Sequence, residues 1–347
     1  MTEAEELDIQ ATARALVTEG RGILAADEST GTMNKRLDPV LEDGEPDEEK
    51  RRAFRELLFT TDGAAEHISG AILYDETIRQ SASDGTPFPE LLNQHEIIPG
   101  IKVDTGAKPL AGSPDEKVTE GLDGLRERLA EYRDLGARFA KWRAVITIGD
   151  GIPTQYCLDV NAHALARYAA LCQEAGITPI VEPEVLMDGE HSIDRSEEVT
   201  EETLFTVFNE LHRQRVDLTG ILLKPNMVMS AYDAPDQASV EEVASRTVAV
   251  LKRVVPASVP GIVFLSGGQT DERASEHLNA MNKMGEQPWE LSFSYGRALQ
   301  GVPLNTWKGQ ESNVESAQAA YEQRAKITGA ARCGQYSPDM EREAAAA

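Results

Sequence analysis

Eight short apolar runs punctuate the chain, each closed by a glycine, a proline or a polar break. In order they are GILAADES from Gly22, AILYDET from Ala71, GIKVDTG from Gly100, FAKWRAVITIG from Phe139, TPIVEPEVL from Thr178, GILLKPNMV from Gly220, GIVFLSGGQ from Gly261 and ELSFSYGRA from Glu290. Runs this short and this continuously apolar predict strands covered on both faces, as in parallel sheets. Amphipathic stretches lie between most of them. DEEKRRAFRELLFTT sets Phe54, Leu57 and Leu58 on one face, and EGLDGLRERLAEYRDLGA spaces Leu122, Leu125, Leu129 and Tyr132 by three and four. NAHALARYAALCQEAG closes on Gly176, a residue suited to the position just past a helix end. The connection SASDGTPFPELLNQHEIIPG, between the second and third runs, is poorer in helix and richer in loop.

Strands and helices alternating eight times predict an α/β fold, a (β/α)8 TIM barrel. An open doubly wound sheet would carry a glycine-rich phosphate turn after its first strand. The residues there, AADESTGTMNKRL, contain no GxGxxG. With no linker-like shift in composition, residues 1–337 read as a single domain. Residues 338–347, ending EREAAAA, are expected to form a detached, disordered tail.

Charge narrows the function classes. A net charge of −25 over 347 residues opposes non-specific binding to nucleic acid or to an anionic membrane. It also makes any basic pocket informative, because an anionic ligand must be drawn in against the overall field. Cys157, Cys172 and Cys333 are odd in number and lack CxxC spacing, so they read as free thiols. The start, MTEAEELDIQATARAL, is acidic and helical in period, unlike a signal or transit peptide. No apolar run approaches the ~18 residues that span a bilayer. A cytoplasmic location is expected.

Barrel enzymes gather their chemistry at the carboxyl ends of the strands. Those positions hold Asp27 and Glu28 after the first run, Lys102 after the third, Lys141 and Arg143 in the fourth and Glu182 and Glu184 in the fifth. Lys224 ends the sixth, Ser266, Gly267 and Gly268 follow the seventh, and Ser294 and Arg297 end the eighth. Any one of these alone reads as a solvated strand end. Together they describe a charged mouth.

Lysines and carboxylates in one ring, without a cofactor motif, suit amine catalysis. A neutral lysine attacks a ketone, and the resulting iminium serves as an electron sink for breaking a neighbouring carbon–carbon bond. Lys224 ends the most apolar run, and Lys141 is placed to supply a like charge. Loss of water from the carbinolamine needs an acid/base such as Glu182 or Glu184, and cleavage needs a base at the far hydroxyl, where Asp27 is available. The SGGQ turn offers unhindered backbone N–H groups for an anion, with Arg297 of SYGRA beside it. A second anion site is offered by Ser29, Thr32, Lys35 and Arg36 of STGTMNKRL.

GILAADESTGTMNKRL, FAKWR, PIVEPEVL, LLKPNMV, FLSGGQ and SFSYGRALQ, in that order, closely resemble the class I, Schiff-base, fructose-bisphosphate aldolases. The resemblance runs from the first helix to about Tyr336. It implies a glycolytic and gluconeogenic homotetramer, working on small-molecule sugar phosphates without a cofactor or metal. It further implies Lys224 as the Schiff-base lysine, Asp27 as the base at the cleaved bond, and Lys141, with Arg143 beside it, holding the carbinolamine and the transition-state charge. Glu182 would be the general acid/base and Glu184 would orient the lysines electrostatically. Ser266, Gly267, Ser294, Gly296 and Arg297 would bind the ketose phosphate, and Ser29, Thr32 and Lys102 the other phosphate. The chain departs from the animal pattern at its end, where four alanines stand in place of a terminal tyrosine. Rival readings are a zinc aldolase, for which the six histidines lack ligand spacing, another Schiff-base barrel such as a transaldolase, and a non-catalytic barrel scaffold.

Overall fold

The computed structural model describes the backbone of residues 3–346 and the side chains of residues 8–342. All eight apolar runs contain strands: β1 (Gly22–Ala26), β2 (Ile68–Leu73), β3 (Ile98–Lys102), β4 (Phe139–Ile146), β5 (Thr178–Val185), β6 (Leu222–Leu223), β7 (Gly261–Phe264) and β8 (Glu290–Tyr295). Each pairs in parallel with its neighbour in sequence, and β8 returns to β1 through Ile23 and Ser294, closing the barrel. β6 is only two residues long. Lys224 still donates its N–H to Val181 O at 2.8 Å, but Pro225 has no N–H to continue the ladder.

The alternation of each strand sorts its side chains. Ile23 and Ala25, Ile72, Ile98, Phe139, Ile180, Leu222 and Val263 belong to a small cluster inside the barrel. The intervening residues, such as Leu24, Trp142, Val181 and Leu223, join the large core between strands and helices. The helix Glu3–Leu16 closes the amino-terminal end: Ala13, Leu16 and Val17 pack into the inner cluster. Ser69 Oγ donates to Leu16 O at 2.6 Å and Thr178 Oγ1 to Ile9 O at 2.8 Å, pinning that helix to β2 and β5.

Phe139 fills the lower barrel, and Gly100 on the adjoining strand makes room for it. A Cβ at Gly100 would overlap the Phe139 ring, which is fully enclosed. Gly100→Ala is therefore expected to cost about 1–3 kcal/mol through overpacking. Urea unfolding measures it, and an unchanged midpoint would show that the ring can move aside.

Helices cover the outside, several with side-chain caps. Asp47, Thr154, Ser192, Ser239 and Thr270 each accept a backbone N–H in the first turn of the helix they precede. Between β2 and β3 the helices are short, Asp75–Ile78 and Phe88–Gln94, in keeping with the loop-rich sequence there. The helix expected from Leu122 begins instead at Leu125, because Gly121 and Gly124 hold left-handed conformations with φ of 129° and 65°.

Two further features depart from expectation. An antiparallel hairpin, Ala107–Leu110 with Ser113–Thr119, follows β3. The tail expected to be detached is helical over Pro338–Ala346, and Arg324 Nη1 meets Glu341 Oε2 at 2.6 Å. Arg324 is almost wholly buried, so its charge needs a partner; Glu341 provides one and draws the tail onto the body. The final residue lies outside the described residues. Among the described residues no helix is long and apolar enough to cross a membrane, and the three cysteines are free.

Candidate active site

Climbing the inner face of the barrel, apolar side chains give way to charged ones. The series run Ile23, Ala25, Asp27; Ile98, Gly100, Lys102; Phe139, Lys141, Arg143; Ile180, Glu182, Glu184; and Leu222, Lys224. The lower layer is apolar, so the charges above it must pair with one another. Glu182 stands at the centre. Its Oε1 lies 3.0 Å from Lys224 Nζ and its Oε2 3.1 Å from Lys141 Nζ. Lys141 Nζ reaches Asp27 Oδ2 on the far side at 2.7 Å. Lys141, Glu182 and Lys224 are each only 3% exposed.

This chain of alternating charge governs protonation. Burial acts to raise Asp27, but the ammonium groups of Lys141 and Lys224 outweigh it and hold the carboxyl well below its usual range. Burial also acts to raise Glu182, and the same two lysines with Arg143 bring it below its ordinary value. Burial works against a charged Lys141, yet Asp27, Glu182 and Asp104 raise its pKa. Both carboxylates are thus ionised in the resting site, and Lys141 is a fixed cation between them.

Glu184 lies one step higher on β5 and pairs with Arg143 of β4. The two glutamates left open as alternatives by the sequence are therefore distinct. Glu182 bridges both lysines, whereas Glu184 has Arg143 as its ion-pair partner.

The residues expected to bind the two anions line different clefts. For one anion, Ser29 precedes the helix Thr30–Leu37 and its Oγ lies 3.1 Å from Thr32 Oγ1. Ser29 and Lys102 line a cleft of about 510 Å³ with Arg79 and Arg128, and Lys102 Nζ is 3.5 Å from Asp104. For the other, Gly267 adopts φ of 59°, a conformation natural to glycine, and its carbonyl accepts from Arg297 Nη2 at 2.5 Å. Ser294 Oγ is buried with no hydrogen-bond partner in the protein, as expected of a hydroxyl reserved for a ligand. Gly296 precedes the helix Arg297–Trp307. Arg36, grouped in the sequence with Ser29, instead lines a small cleft with Arg297 and Gln300 and pairs with Glu28.

Comparisons with known proteins identify the family. The sequence model described as fructose-bisphosphate aldolase class-I (Glycolytic) matches residues 8–347. The chain belongs to the class I fructose-bisphosphate aldolases. It is similar to the probable fructose-bisphosphate aldolase class 1 of Xylella fastidiosa, with 58% identity over 326 residues, 94% of this chain and 97% of the relative. The fructose-bisphosphate aldolase of Dictyostelium discoideum is 50% identical over 333 residues, 95% of this chain and 93% of the relative. The fructose-bisphosphate aldolase of Plasmodium falciparum, solved in a ternary complex with TRAP and a small-molecule inhibitor, superposes with a TM-score of 0.95. It is 47% identical, and the match covers 97% of each chain.

Three supports of this aldolase site escaped the sequence reading. Glu28 is bound by buried Arg55, at 2.5 Å, and by Gln300 Nε2, at 3.0 Å; Gln300 also donates to Ala25 O at 2.7 Å. The arrangement braces the end of β1, from which Asp27 projects. Asp104, two residues beyond Lys102, accepts the backbone N–H of Arg143 at 3.2 Å. Asn226 Oδ1 accepts from Val185 N at 3.0 Å, fastening the exit of β6 to β5. The signal for Asn226 was present, a polar residue directly after Lys224-Pro225.

Proposed function

We propose that Lys224 is the amine through which this carbon–carbon lyase works. The enzyme is a class I fructose-bisphosphate aldolase, which reversibly cleaves fructose 1,6-bisphosphate to dihydroxyacetone phosphate and glyceraldehyde 3-phosphate. The observation that carries the assignment of roles is the single Glu182 carboxylate ion-paired with both buried lysines.

Lys224 must lose a proton before it can attack the ketone carbon, and Glu182 is the acceptor within reach. Attack gives a carbinolamine, and Glu182 returns the proton to its hydroxyl, which leaves as water to form the iminium. Lys141, fixed as a cation, balances the charge that builds on the oxygen. Asp27 then takes the proton of the hydroxyl next to the bond being broken. That C–O(H) becomes a carbonyl, the carbon–carbon pair of electrons moves into the iminium to give an enamine, and the aldehyde leaves. The proton held by Asp27 is returned to the enamine carbon, directly or through water, and hydrolysis of the renewed iminium releases dihydroxyacetone phosphate and restores Lys224 and an ionised Asp27.

The phosphates flank this centre. Ser266, Gly267, Ser294, Gly296 and Arg297 hold the ketose phosphate; Ser29, Thr32 and Lys102 hold the other. Arg143 and Glu184 pair at the rim above the lysines. We read the chain as one catalytic unit that works in the cytoplasm, as a homotetramer and without a cofactor. The acidic surface and the 51% identity to an Arabidopsis thaliana aldolase named as cytosolic support the location; the family resemblance supports the assembly.

Borohydride reduction in the presence of dihydroxyacetone phosphate, followed by peptide mapping, tests the assignment. A single reduced adduct on Lys224 is expected. An adduct on another lysine, or chelator-sensitive cleavage without any adduct, overturns it.

A further inference from the structure

Tyr232 lies in the loop leaving β6, but it is positioned by the exit of β5. Its N–H donates to Met187 O at 3.0 Å, and that of Asp233 to Gly189 O at 3.0 Å. From this anchored loop the ring reaches across to the exit of β7, where its Oη accepts the N–H of Gly268 at 2.5 Å. The approach is close: a Cβ on Gly268 would stand 2.8 Å from the Tyr232 ring, and one on Gly267 3.1 Å from its Oη. Arg297 takes the other flank of the same turn, donating to Gly267 O at 2.5 Å. A phenol thus holds the N–H, and a guanidinium the C=O, of the single Gly267–Gly268 peptide group.

A phenolic oxygen that accepts a hydrogen bond still has its own proton to give. Burial pushes the Tyr232 phenol up from its ordinary value, despite the opposing Gly268 bond and nearby Arg297, so the group is a neutral donor throughout the physiological range. The residue is 40% exposed at the mouth. Although Gly268 itself is exposed, its N–H is taken up by the phenol and is not a free donor. Its donor capacity is passed outward through the phenol.

We propose that Tyr232 is a further specificity-determining residue of the ketose-phosphate end, donating its O–H to a phosphomonoester oxygen seated over the Gly267–Gly268 turn. This rests on the reading of that turn, with Arg297, as the ketose-phosphate site. Removing the hydroxyl withdraws one bond to the anion and leaves the Gly268 N–H facing a ring with no acceptor. Both effects weaken phosphate binding more than they slow chemistry at Lys224.

The test compares wild type, Tyr232→Phe and Arg297→Ala. The readouts are KM and kcat for fructose 1,6-bisphosphate cleavage, the competitive inhibition constant of inorganic phosphate, and the thermal midpoint. Tyr232→Phe is expected to raise KM and the phosphate inhibition constant about five- to twenty-fold, a larger change than any fall in kcat. Its thermal midpoint should stay close to wild type, because the ring still packs on the turn. If Tyr232→Phe leaves the phosphate constant unchanged while Arg297→Ala raises it, the role of Tyr232 is overturned and the phosphate site stands. If neither variant changes it, the phosphate reading of the turn falls as well. A lower thermal midpoint and lower kcat with phosphate affinity intact would assign Tyr232 to loop structure alone, and that too overturns the proposal.

Discussion

Lys224→Met is expected to abolish borohydride trapping with dihydroxyacetone phosphate and to lower fructose 1,6-bisphosphate cleavage by at least about 10⁴-fold. The chemical reason is that the iminium is the only electron sink available at the cleaved bond, and only an amine can form it. A loss of that size corresponds to about 5.5 kcal/mol of transition-state stabilisation. The fold should survive. Methionine is close to the lysine stem in volume, and Leu222, below it on the inner face of the barrel, is already apolar. What changes is the charge count. Glu182 loses the partner on Oε1 and keeps Lys141 on Oε2, so one of the influences that lowers its pKa disappears and the value moves up. Trapping and cleavage are measured on the same preparation, with circular dichroism as the check on folding. Turnover of even a few per cent of wild type, with the adduct moved to another lysine, would remove Lys224 from the mechanism.

The same physics explains which parts of this enzyme could be read in its sequence. A barrel strand is buried on both faces, so each writes an uninterrupted apolar run, and all eight runs contain strands. The hairpin at residues 107–119 left no such trace, because most of its residues face solvent: Ala107, Lys108 and Pro109 are exposed, as are Pro114 and Asp115. The catalytic candidates were legible for the opposite reason. A lysine or glutamate that interrupts an apolar run has no bland place to go, and Lys141, Glu182 and Lys224 all do so. Their connections were not legible. In the register of β4 against β5 Lys141 lies opposite Ile180 and Arg143 opposite Glu182, yet each pairs diagonally with the glutamate two residues farther along β5, Lys141 with Glu182 and Arg143 with Glu184. Arg55 was hidden more thoroughly. It sits in a helix among Arg51 and Arg52, and nothing local distinguishes the arginine that turns inward to Glu28 from its neighbours, which bind Glu76, Glu49 and Glu56.

Asp27→Asn separates the two halves of the reaction. The amide keeps the size of the side chain but cannot accept the hydroxyl proton as a base, so cleavage is expected to fall about 10²–10⁴-fold, the usual worth of a positioned general base. Formation of the Schiff base should persist, because Lys224 and Glu182 remain 3.0 Å apart and neither depends on Asp27 for its contact. The variant should therefore still be trapped by borohydride with dihydroxyacetone phosphate while failing to cleave the bisphosphate. Lys141 reports the change electrostatically. Burial already opposes its charge, and Asp27 is the strongest of the groups that offset this. Neutralising Asp27 moves the Lys141 pKa down, so activity remaining in the variant should be lost at lower pH on the alkaline side than in wild type. Trapping stoichiometry, cleavage rate and the alkaline limb of the pH profile are measured together. Loss of trapping in step with cleavage would place Asp27 in Schiff-base formation instead of carbon–carbon cleavage, and an unmoved alkaline limb would show that Lys141 does not draw its charge state from Asp27.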